Sequence, residues 1–281
     1  MIEVIHAGLY TSIQDVGRYG YRNLGVPLSG VMDRQSAEYA NEILGNDKNK
    51  ALIEFTLQGP TLKFTLSTEI CCTGATFQLL LNKSAVPMNK AITVKPGDVL
   101  SIATTKEGMR GYLAVRGGIQ TKQIMGSRSF YQGITTDHIL KKGMKIPLHS
   151  HVENRAAATY ATPPKPFTTN AVEVYVGPEF HRLTTNVQQA LLAKSFKISP
   201  QSNRMAYVLE STASLAAAEI VTGPVQTGTV QLTPSGTLVV LMRDAQTTGG
   251  YSRVLQLTER AISQLSQKRG GEMVRFELLE L

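Results

Sequence analysis

The chain has 281 residues, of which 42% are hydrophobic, with no Trp and a formal net charge of +8. This length suits one large domain or two of ordinary size. Lys and Arg are scattered rather than grouped with aromatic residues, which argues against a nucleic-acid-binding face and suits an acidic protein partner or a carboxylate or phosphate substrate. No apolar run is long enough to cross a bilayer and no secretory signal is visible, so we expect a cytoplasmic protein.

Residues 7–30 follow an opening strand, are rich in Gly, Ser, Asn and Pro, and show little periodicity. This pattern predicts a long loop, and long loops in compact domains often carry function. Gln14, Asp15 and Arg18 lie in it. The alternative interpretation of these three residues is a solvated loop with a local Asp–Arg pair.

A helix is predicted from Met32 to Leu44, because apolar residues recur there at helical spacing and Gly45 follows as a stop. Asp33 lies at its beginning. This carboxylate fits an N-cap, which accepts backbone N–H groups at the positive end of a helix. It equally fits a functional acid, and both alternatives stay open.

From residue 51 to about 148 the pattern changes to short strands separated by turns such as the one at residues 95–98. Many short strands with few helices favour an antiparallel barrel or sandwich. The only two cysteines are adjacent in this region, and we expect small buried hydrophobes there rather than a disulfide or a metal site. The predicted strands are Leu52–Leu57, Thr61–Leu66, Glu69–Thr73, Phe77–Leu81, Ala91–Val94, Val99–Ala103, Gly111–Val115 and Lys145–Leu148.

The passage from His149 to Phe167 contains alanine repeats and three prolines and is the most linker-like in the sequence. It predicts two domains, residues 1–155 and 168–281. A lone histidine pair there, at 149 and 151, is too little for a metal site. The second half restarts with strand Ala171–Val176, has helices near Asn186–Ala193 and Thr258–Arg269, and ends in strand Met273–Leu279.

A β-hairpin is predicted in the second half, where Thr229–Leu232 and Thr237–Met242 flank a turn at residues 233–236. The second strand ends in a cluster of polar residues and glycines at 243–251. Rigid strand ends position loops that bind ligands, so this stretch is a candidate binding rim.

The side chains of this rim suit an amide or ureido substrate. Asp244 is a candidate base and Arg243 a candidate partner for a carboxylate. Three glutamines can both donate to and accept from an amide, and the residues that follow offer hydroxyls, close backbone approach and a phenol. A turn network that only holds strand ends together is the alternative. The further candidates are Gln226, Gln231, Gln246, Thr247, Thr248, Gly249, Gly250 and Tyr251.

Two other stretches bear on catalysis. No nucleophile elbow is present, and Ser127 with Arg128 is better interpreted as a carboxylate-binding turn, with a structural turn as the alternative. The glycine-rich stretch at residues 111–118 lacks the spacing of a phosphate-binding loop, so nucleotide binding by this chain alone is not predicted.

Motifs along nearly the whole chain resemble one family. They are residues 12–18 (SIQDVGR), 29–33 (SGVMD), 40–41, 45–46, Glu54, 116–119 (RGGI), 126–129 (GSRS), 228–231 (GTVQ) and 244–251 (DAQTTGGY). This pattern is similar to allophanate hydrolase subunit 2, the carboxyltransferase domain of urea carboxylase, the C subunit of 5-oxoprolinase and the antagonist of a sporulation kinase inhibitor. Residues 202–205 resemble the family's Ser-Asp-Arg-Met, with Asn203 replacing Asp and Arg204 retained. At residues 137–146 a basic and an acidic residue of the family pattern are absent.

The resemblance implies a mainly β fold of two cyclophilin-like β-barrel domains with a few short helices. It also implies a site in a cleft, with Asp33 and Asp244 as catalytic candidates. Substrate-binding candidates are Gln14, Arg18, Ser127, Arg128, Arg204, Gln226, Gln231, Arg243, Gln246, Thr247, Thr248, Gly249, Gly250 and Tyr251.

The free-standing size, with no biotin carboxylase or carrier region attached, is most similar to the C subunit of an ATP-dependent 5-oxoprolinase, which opens 5-oxo-L-proline to L-glutamate. The resemblance then implies the 5-oxoprolinase subunits A and B as partners, of which B is also cyclophilin-like, with ATP used by the complex and no covalent biotin on this chain. One alternative is carboxyl transfer to urea or a related amide from a separate biotin carrier. The other is a regulatory module that binds a kinase-inhibitor protein.

Overall fold

The computed structural model describes residues 1–149, 161, 163–164, 167, 169–210 and 215–279. It has two compact units: Met1–Tyr19 with Ser29–Lys165, and Gly20–Leu28 with Pro166–Leu281. The predicted linker lies largely outside the described residues. A short segment, residues 20–28, is thus grouped with the second unit. None of the described helices is long and apolar enough to span a membrane.

The first unit has two antiparallel sheets and one helix, α1 (Arg34–Ile43). One sheet has six strands in the order β11-β1-β4-β9-β6-β7, and the other has five in the order β2-β3-β10-β5-β8. The strands are β1 (Ile2–His6), β2 (Tyr10–Gln14), β3 (Leu52–Thr56), β4 (Thr61–Phe64), β5 (Thr68–Thr76), β6 (Leu79–Leu81), β7 (Ser84–Val86), β8 (Ile92–Val94), β9 (Val99–Ile102), β10 (Glu107–Val115) and β11 (Lys145–Ile146).

Strand β3 of the five-stranded sheet is buried on both faces. Ile53 and Phe55 of β3 belong to the main core, which also contains side chains of the six-stranded sheet. Leu52, the neighbour of Ile53, belongs to a second cluster with Ala37 and Ala40 of α1. Successive strand residues point to opposite faces, so one strand serves both layers. The helix therefore covers the sheet face opposite the main core.

The second unit is a closed barrel of seven strands in the order β12-β19-β16-β17-β14-β13-β20, in which β12 and β20 pair in parallel. The second unit also contains a separate two-stranded ribbon, formed by β15 and β18. The elements are β12 (Ala171–Val176), α2 (Thr185–Ala193), β13 (Ser195–Ile198), β14 (Ala206–Glu210), β15 (Gly223–Pro224), β16 (Thr229–Leu232), β17 (Leu238–Leu241), β18 (Thr248–Gly249), β19 (Ser252–Leu257), α3 (Glu259–Ser266) and β20 (Met273–Leu278). Short 3₁₀ turns lie at Arg22–Leu24 and Phe180–Arg182.

The prediction of a mainly β chain with few helices is confirmed, and so is the hairpin of β16 and β17. Strands of the first unit are divided between two sheets, whereas seven strands of the second unit close into one barrel and two form the separate ribbon. The prediction of one long loop at residues 7–30 was wrong. Strand β2 lies within it and pairs with β3, and four of its five residues are buried. Three of those four, Thr11, Ser12 and Gln14, are polar, so hydrophobic alternation did not reveal the strand.

Candidate functional site

In the first unit a polar network is built around Asp15, which follows β2 directly. Its Oδ1 accepts hydrogen bonds from Ser127 Oγ at 2.6 Å, from Ser129 Oγ at 2.7 Å and from the backbone N–H of Gly17 at 2.9 Å. Its Oδ2 accepts from the backbone N–H of Arg128 at 2.6 Å. The carboxylate thereby fastens the turn at residues 127–129 to the end of β2.

Arg18 and Gln14 extend this network. The guanidinium of Arg18 is fully buried and donates to the carbonyls of Ile124 and Ser129, at 3.1 and 2.6 Å, and to Ser29 Oγ at 3.4 Å. The amide of Gln14 donates to Ser12 Oγ at 2.9 Å and accepts from the backbone N–H of Gly30 at 3.1 Å. The structure thus brings Gln14, Arg18 and Ser127 together, all engaged with groups of the chain itself.

The side chain of Arg128 contacts a different part of the chain from the Asp15 network. Its guanidinium donates to the carbonyl of Thr121 and to Gln120 Oε1, at 2.8 Å in the second case, so its hydrogen-bond acceptors within the described residues are neutral groups. It lines a cavity of about 280 Å³ together with Asp15, Gln120 and other polar residues. Among the first-unit candidates, Arg128 is the one that lines this cavity.

Asp33 caps α1 and is fully buried. Its Oδ1 accepts from the backbone N–H of Ser36 at 3.1 Å and its Oδ2 from Ser36 Oγ at 2.6 Å. Its own backbone N–H donates to the hydroxyl of Tyr112 at 2.8 Å. The N-cap alternative therefore describes the contacts of this carboxylate, and a catalytic role for it stays a prediction.

Beneath α1 a row of buried polar side chains crosses the five-stranded sheet. Ser12, Glu54, Tyr112 and Thr73 occupy directly paired positions on four neighbouring strands and are at most 1% exposed. Burial raises the pKa of Tyr112 well above its ordinary value, and the nearby charges of Glu54 and Asp33 raise it further. Glu54 accepts the backbone N–H of Met32 at 2.7 Å. This row holds the segment before α1 on the sheet.

In the second unit Arg204 binds Asp244 through two hydrogen bonds, from Nε to Oδ2 at 2.8 Å and from Nη2 to Oδ1 at 3.0 Å. Their side chains are 7% and 14% exposed. The neighbouring Arg243, at 3% exposure, pairs with Glu259 at the start of α3. Both arginines therefore already hold carboxylates of the chain, and Arg243 as a substrate-carboxylate ligand stays a prediction.

A further ion pair lies beside the ribbon of β15 and β18. Arg253 binds Glu179 from Nε at 2.9 Å and from Nη2 at 2.7 Å, and its Nη1 donates to the carbonyl of Pro224 at 2.9 Å. The hydrogen bonds from Arg253 are the main cause that lowers the pKa of Glu179. Sequence reasoning assigned no role to this pair. The one sequence signal was the acidic residue of Gly177-Pro178-Glu179, which directly follows a predicted strand.

The remaining rim candidates surround this ribbon. Gln231 is buried beneath it, and its Nε2 donates to the carbonyl of Tyr251 at 3.4 Å. A Cβ at Gly249 would come within 2.6 Å of that Nε2, so a larger residue there would require the Gln231 side chain to shift. The Oε1 of Gln246 is buried and accepts no hydrogen bond from the described residues. The side chain of Tyr251 is 40% exposed.

The backbone fixes the other rim residues. The carbonyl of Thr247 accepts the N–H of Val225 at 3.0 Å and that of Gly250 accepts the N–H of Ile220 at 2.9 Å. Thr248 pairs with Pro224 in the ribbon and has an exposed side chain, and Gln226 is also exposed. The rim thus combines fixed backbone with exposed amide, hydroxyl and phenol groups, which suits recognition of a small polar ligand.

Comparison with known proteins identifies the family and the relatives that this sequence matches. Residues 24–278 match the family described as carboxyltransferase domain, subdomain A and B. The chain is 33% identical over 282 residues to the C subunit of 5-oxoprolinase from Escherichia coli (strain K12), covering 98% of this chain and 90% of the relative. It is 41% identical over 160 residues to urea amidolyase of Saccharomyces cerevisiae, covering 55% of this chain and 9% of that protein.

Among solved structures, the crystal structure of the K. lactis urea amidolyase matches with a TM-score of 0.90 and 28% identity. The match covers 99% of this chain and 19% of that one. The structure of the protein titled TTHA0988 matches with a TM-score of 0.88 and 28% identity, and this chain spans 55% of its length. By the family match over most of its length, the chain belongs to the carboxyltransferase domain family, subdomains A and B.

Proposed function

We propose that the chain is the C subunit of an ATP-dependent 5-oxoprolinase, which converts 5-oxo-L-proline to L-glutamate together with partner subunits A and B. One observation carries this proposal. The two relatives named as the C subunit of 5-oxoprolinase match nearly end to end, at 98% and 100% of this chain and 90% and 92% of their own length. The urea amidolyase relatives instead match within proteins many times longer.

The reaction adds water across the lactam amide. The carbonyl carbon gains the water oxygen, the C–N bond breaks, and the nitrogen leaves as an amine after taking up a proton. Amide resonance makes the carbonyl a poor electrophile, so activation and fixed orientation must supply most of the acceleration. Polar groups that hold a carboxylate and a lactam in one geometry suit this task.

We assign a role to each candidate residue according to its hydrogen bonds within the chain. Asp244, held in one orientation by Arg204 and still partly exposed, is our candidate for orienting the substrate or moving its proton. Asp33 is enclosed by Ser36 and Tyr112, so we assign it to holding the start of α1. Ser127, Arg18 and Gln14 hold the turn that carries Arg128.

ATP is assigned to the partner subunits. In the described part of the chain the glycine-rich stretch at 111–118 is not a loop that leads into a helix: Gly111 lies within β10, where a Cβ would come within 2.4 Å of the Phe55 ring. This glycine serves close packing. Both cysteines are free and buried, which suits the reducing cytoplasm where we place the reaction.

Carboxyl transfer to urea or a related amide is the second candidate. The observation that favours it is the identity of 41% over 160 residues to the S. cerevisiae urea amidolyase, higher than the 33% to the E. coli protein. In this alternative the biotin is carried by another protein.

The deciding experiment mixes this chain with subunits A and B from the same genome. One arm contains 5-oxo-L-proline and ATP and measures L-glutamate. The other contains urea, ATP, bicarbonate, a biotin carboxylase and a biotinylated carrier, and measures carboxylated urea. We expect turnover in the first arm only. Turnover in the second arm alone would replace the proposal by carboxyl transfer.

A further inference from the structure

A small cavity in the first unit has the groups of a ligand site, and no ligand has been assigned to it. Its volume is about 280 Å³. One wall is the loop between α1 and β3, with Asp47 and Lys50, and the other is residues 119–123. Asp15 and Arg128 also line it.

Two cations line this cavity without a carboxylate partner in the described residues. Arg128 donates to the Thr121 carbonyl and to Gln120 Oε1, which leaves its positive charge unneutralised by direct contact. No hydrogen bond or ion pair to a described residue engages the ammonium group of Lys50. Two such cations on the lining of one cavity suit a carboxylate, because hydrogen bonds between charged groups are the stronger ones.

Lys50 is fixed at its backbone even though its side chain is exposed. Its N–H donates to the carbonyl of Asp47 at 3.0 Å, and its own carbonyl accepts from Asn41 Nδ2 at 2.9 Å. Its aliphatic stem passes Gly118, where a Cβ would come within 3.0 Å of Lys50 Cβ. A glycine there leaves room for the stem.

Asp15, which also lines the cavity, has acceptor capacity that its internal hydrogen bonds do not fill. Three donors occupy Oδ1 of Asp15, while Oδ2 accepts the single N–H of Arg128. A carboxylate oxygen has room for a second donor. Asp47 adds a second carboxylate, whose Oδ1 accepts the N–H of Asn49 at 2.8 Å. The cavity therefore offers cations for a carboxylate and carboxylate oxygens for an N–H group.

We propose that this cavity binds a small carboxylate that bears an N–H donor next to it, the chemistry shared by an α-amino acid and a lactam acid. Lys50 and Arg128 receive the carboxylate and Asp15 Oδ2 accepts the N–H. The inference rests on the proposed function only for its choice of probes, 5-oxo-L-proline and L-glutamate. Binding needs neither ATP nor the partner subunits.

The test is a calorimetric and amide-NMR titration of the whole chain alone with four probes. The probes 5-oxo-L-proline and L-glutamate carry both groups, acetate carries only the carboxylate and urea only the N–H. We expect at least one of the first two to bind about tenfold or more tighter than acetate and urea. Shifts should centre on residues 47–51 and 119–123. Absence of binding by both, or equal binding of acetate, overturns the proposal.

Lys50→Gln is the diagnostic variant and Lys48→Gln its matched control. Lys48 makes the same charge change two residues away, but pairs with Glu42 at 2.8 Å and does not line this cavity. We expect Lys50→Gln to weaken binding about fivefold or more and Lys50→Glu to weaken it further, with Lys48→Gln unchanged. Equal effects at the two positions overturn the assignment. Turnover by the three-chain mixture is a separate readout, so either proposal can fail alone.

Discussion

Arg204 grips the carboxylate of Asp244 with two parallel hydrogen bonds, 2.8 Å from Nε and 3.0 Å from Nη2. A main-chain hydrogen bond also joins the two residues, because the N–H of Asp244 donates to the carbonyl of Arg204 at 3.0 Å. Residues 40 positions apart in the sequence are thus fastened at side chain and main chain. The pair fixes the start of the rim that follows β17.

Breaking this pair should destabilise the second unit. Asp244→Asn leaves the Arg204 guanidinium largely buried without its charge partner, so we expect a loss of about 2–4 kcal/mol in the free energy of unfolding. The measurement is urea denaturation of the single variants Asp244→Asn and Arg204→Gln and of their combination. The double variant should lose less than the sum of the single losses.

The control for this experiment is an exposed ion pair. Lys48 and Glu42 are 2.8 Å apart, with side chains 58% and 30% exposed, and Glu42→Gln should cost less than about 0.5 kcal/mol. An Asp244→Asn protein as stable as Glu42→Gln would contradict the structural role of the bidentate pair.

We expect Glu179 to make the free energy of unfolding depend on pH in the acidic range. Its pKa is lowered in the folded protein, chiefly by hydrogen bonds from Arg253. A lowered folded-state pKa stabilises the fold above the unfolded-state value, about 4.3, and this contribution is lost as the pH falls through the folded-state value. The stability difference between wild type and Glu179→Gln should be constant above about pH 5 and shrink toward pH 3. Denaturation curves at several pH values measure it, and a difference that does not change with pH contradicts the assignment.

We expect Tyr112 to give the free energy of unfolding the opposite pH dependence, in the alkaline range. Its pKa is raised by burial and by Glu54 and Asp33, so it stabilises the fold below the unfolded-state value of about 10 and this is lost as the pH rises above it. At pH 7, Tyr112→Phe removes the acceptor of the buried Asp33 N–H and should cost about 1–3 kcal/mol. Its stability difference from wild type should narrow above pH 10.

A second buried phenol provides the comparison for that prediction. Tyr207 donates to the carbonyls of Ser266 and Lys268 at 3.4 and 3.3 Å, which are long hydrogen bonds. Tyr207→Phe should therefore cost less than Tyr112→Phe. Equal losses would show that the Asp33 contact contributes nothing.

The cysteines should be inert in the folded protein. Burial raises the pKa of Cys71 to about 12, and Cys72 is also buried and its pKa is raised further. Because the thiolate is the reactive form, a disulfide reagent such as DTNB at pH 8 should label neither thiol rapidly. In guanidinium chloride it should label both. Rapid labelling of the native chain would contradict the placement of β5.

The sequence permitted prediction where the pattern is local. The hairpin of β16 and β17 combines two apolar-rich runs with a Pro-Ser-Gly turn, and the cap at Asp33 directly precedes a stretch with helical spacing of apolar residues. Strand β2 was not predicted because its buried side chains are largely polar, and they bond to one another and to backbone groups as distant as the Phe130 carbonyl. The partner of Arg253 lies 74 residues away, so no local pattern could reveal it.

The same reason limits the site. Motifs identified which residues belong to the rim and to the 127–129 turn, because those residues are contiguous in sequence. Some of these residues are already bound to other side chains of the protein, as Arg243 is to Glu259. Such pairings between distant residues form only in the folded chain and cannot be read from the motifs. Lys50 carries no motif, and its place beside Arg128 follows from the return of the chain at residues 119–123.

The proposed function is tested most directly by the initial rate of L-glutamate release from 5-oxo-L-proline by subunits A and B, with and without this chain. We predict ATP-dependent release that requires this chain and falls at least about tenfold with Asp244→Asn at a temperature where that variant is folded. Release that is the same without this chain, or none with all three proteins assembled, would contradict the proposal.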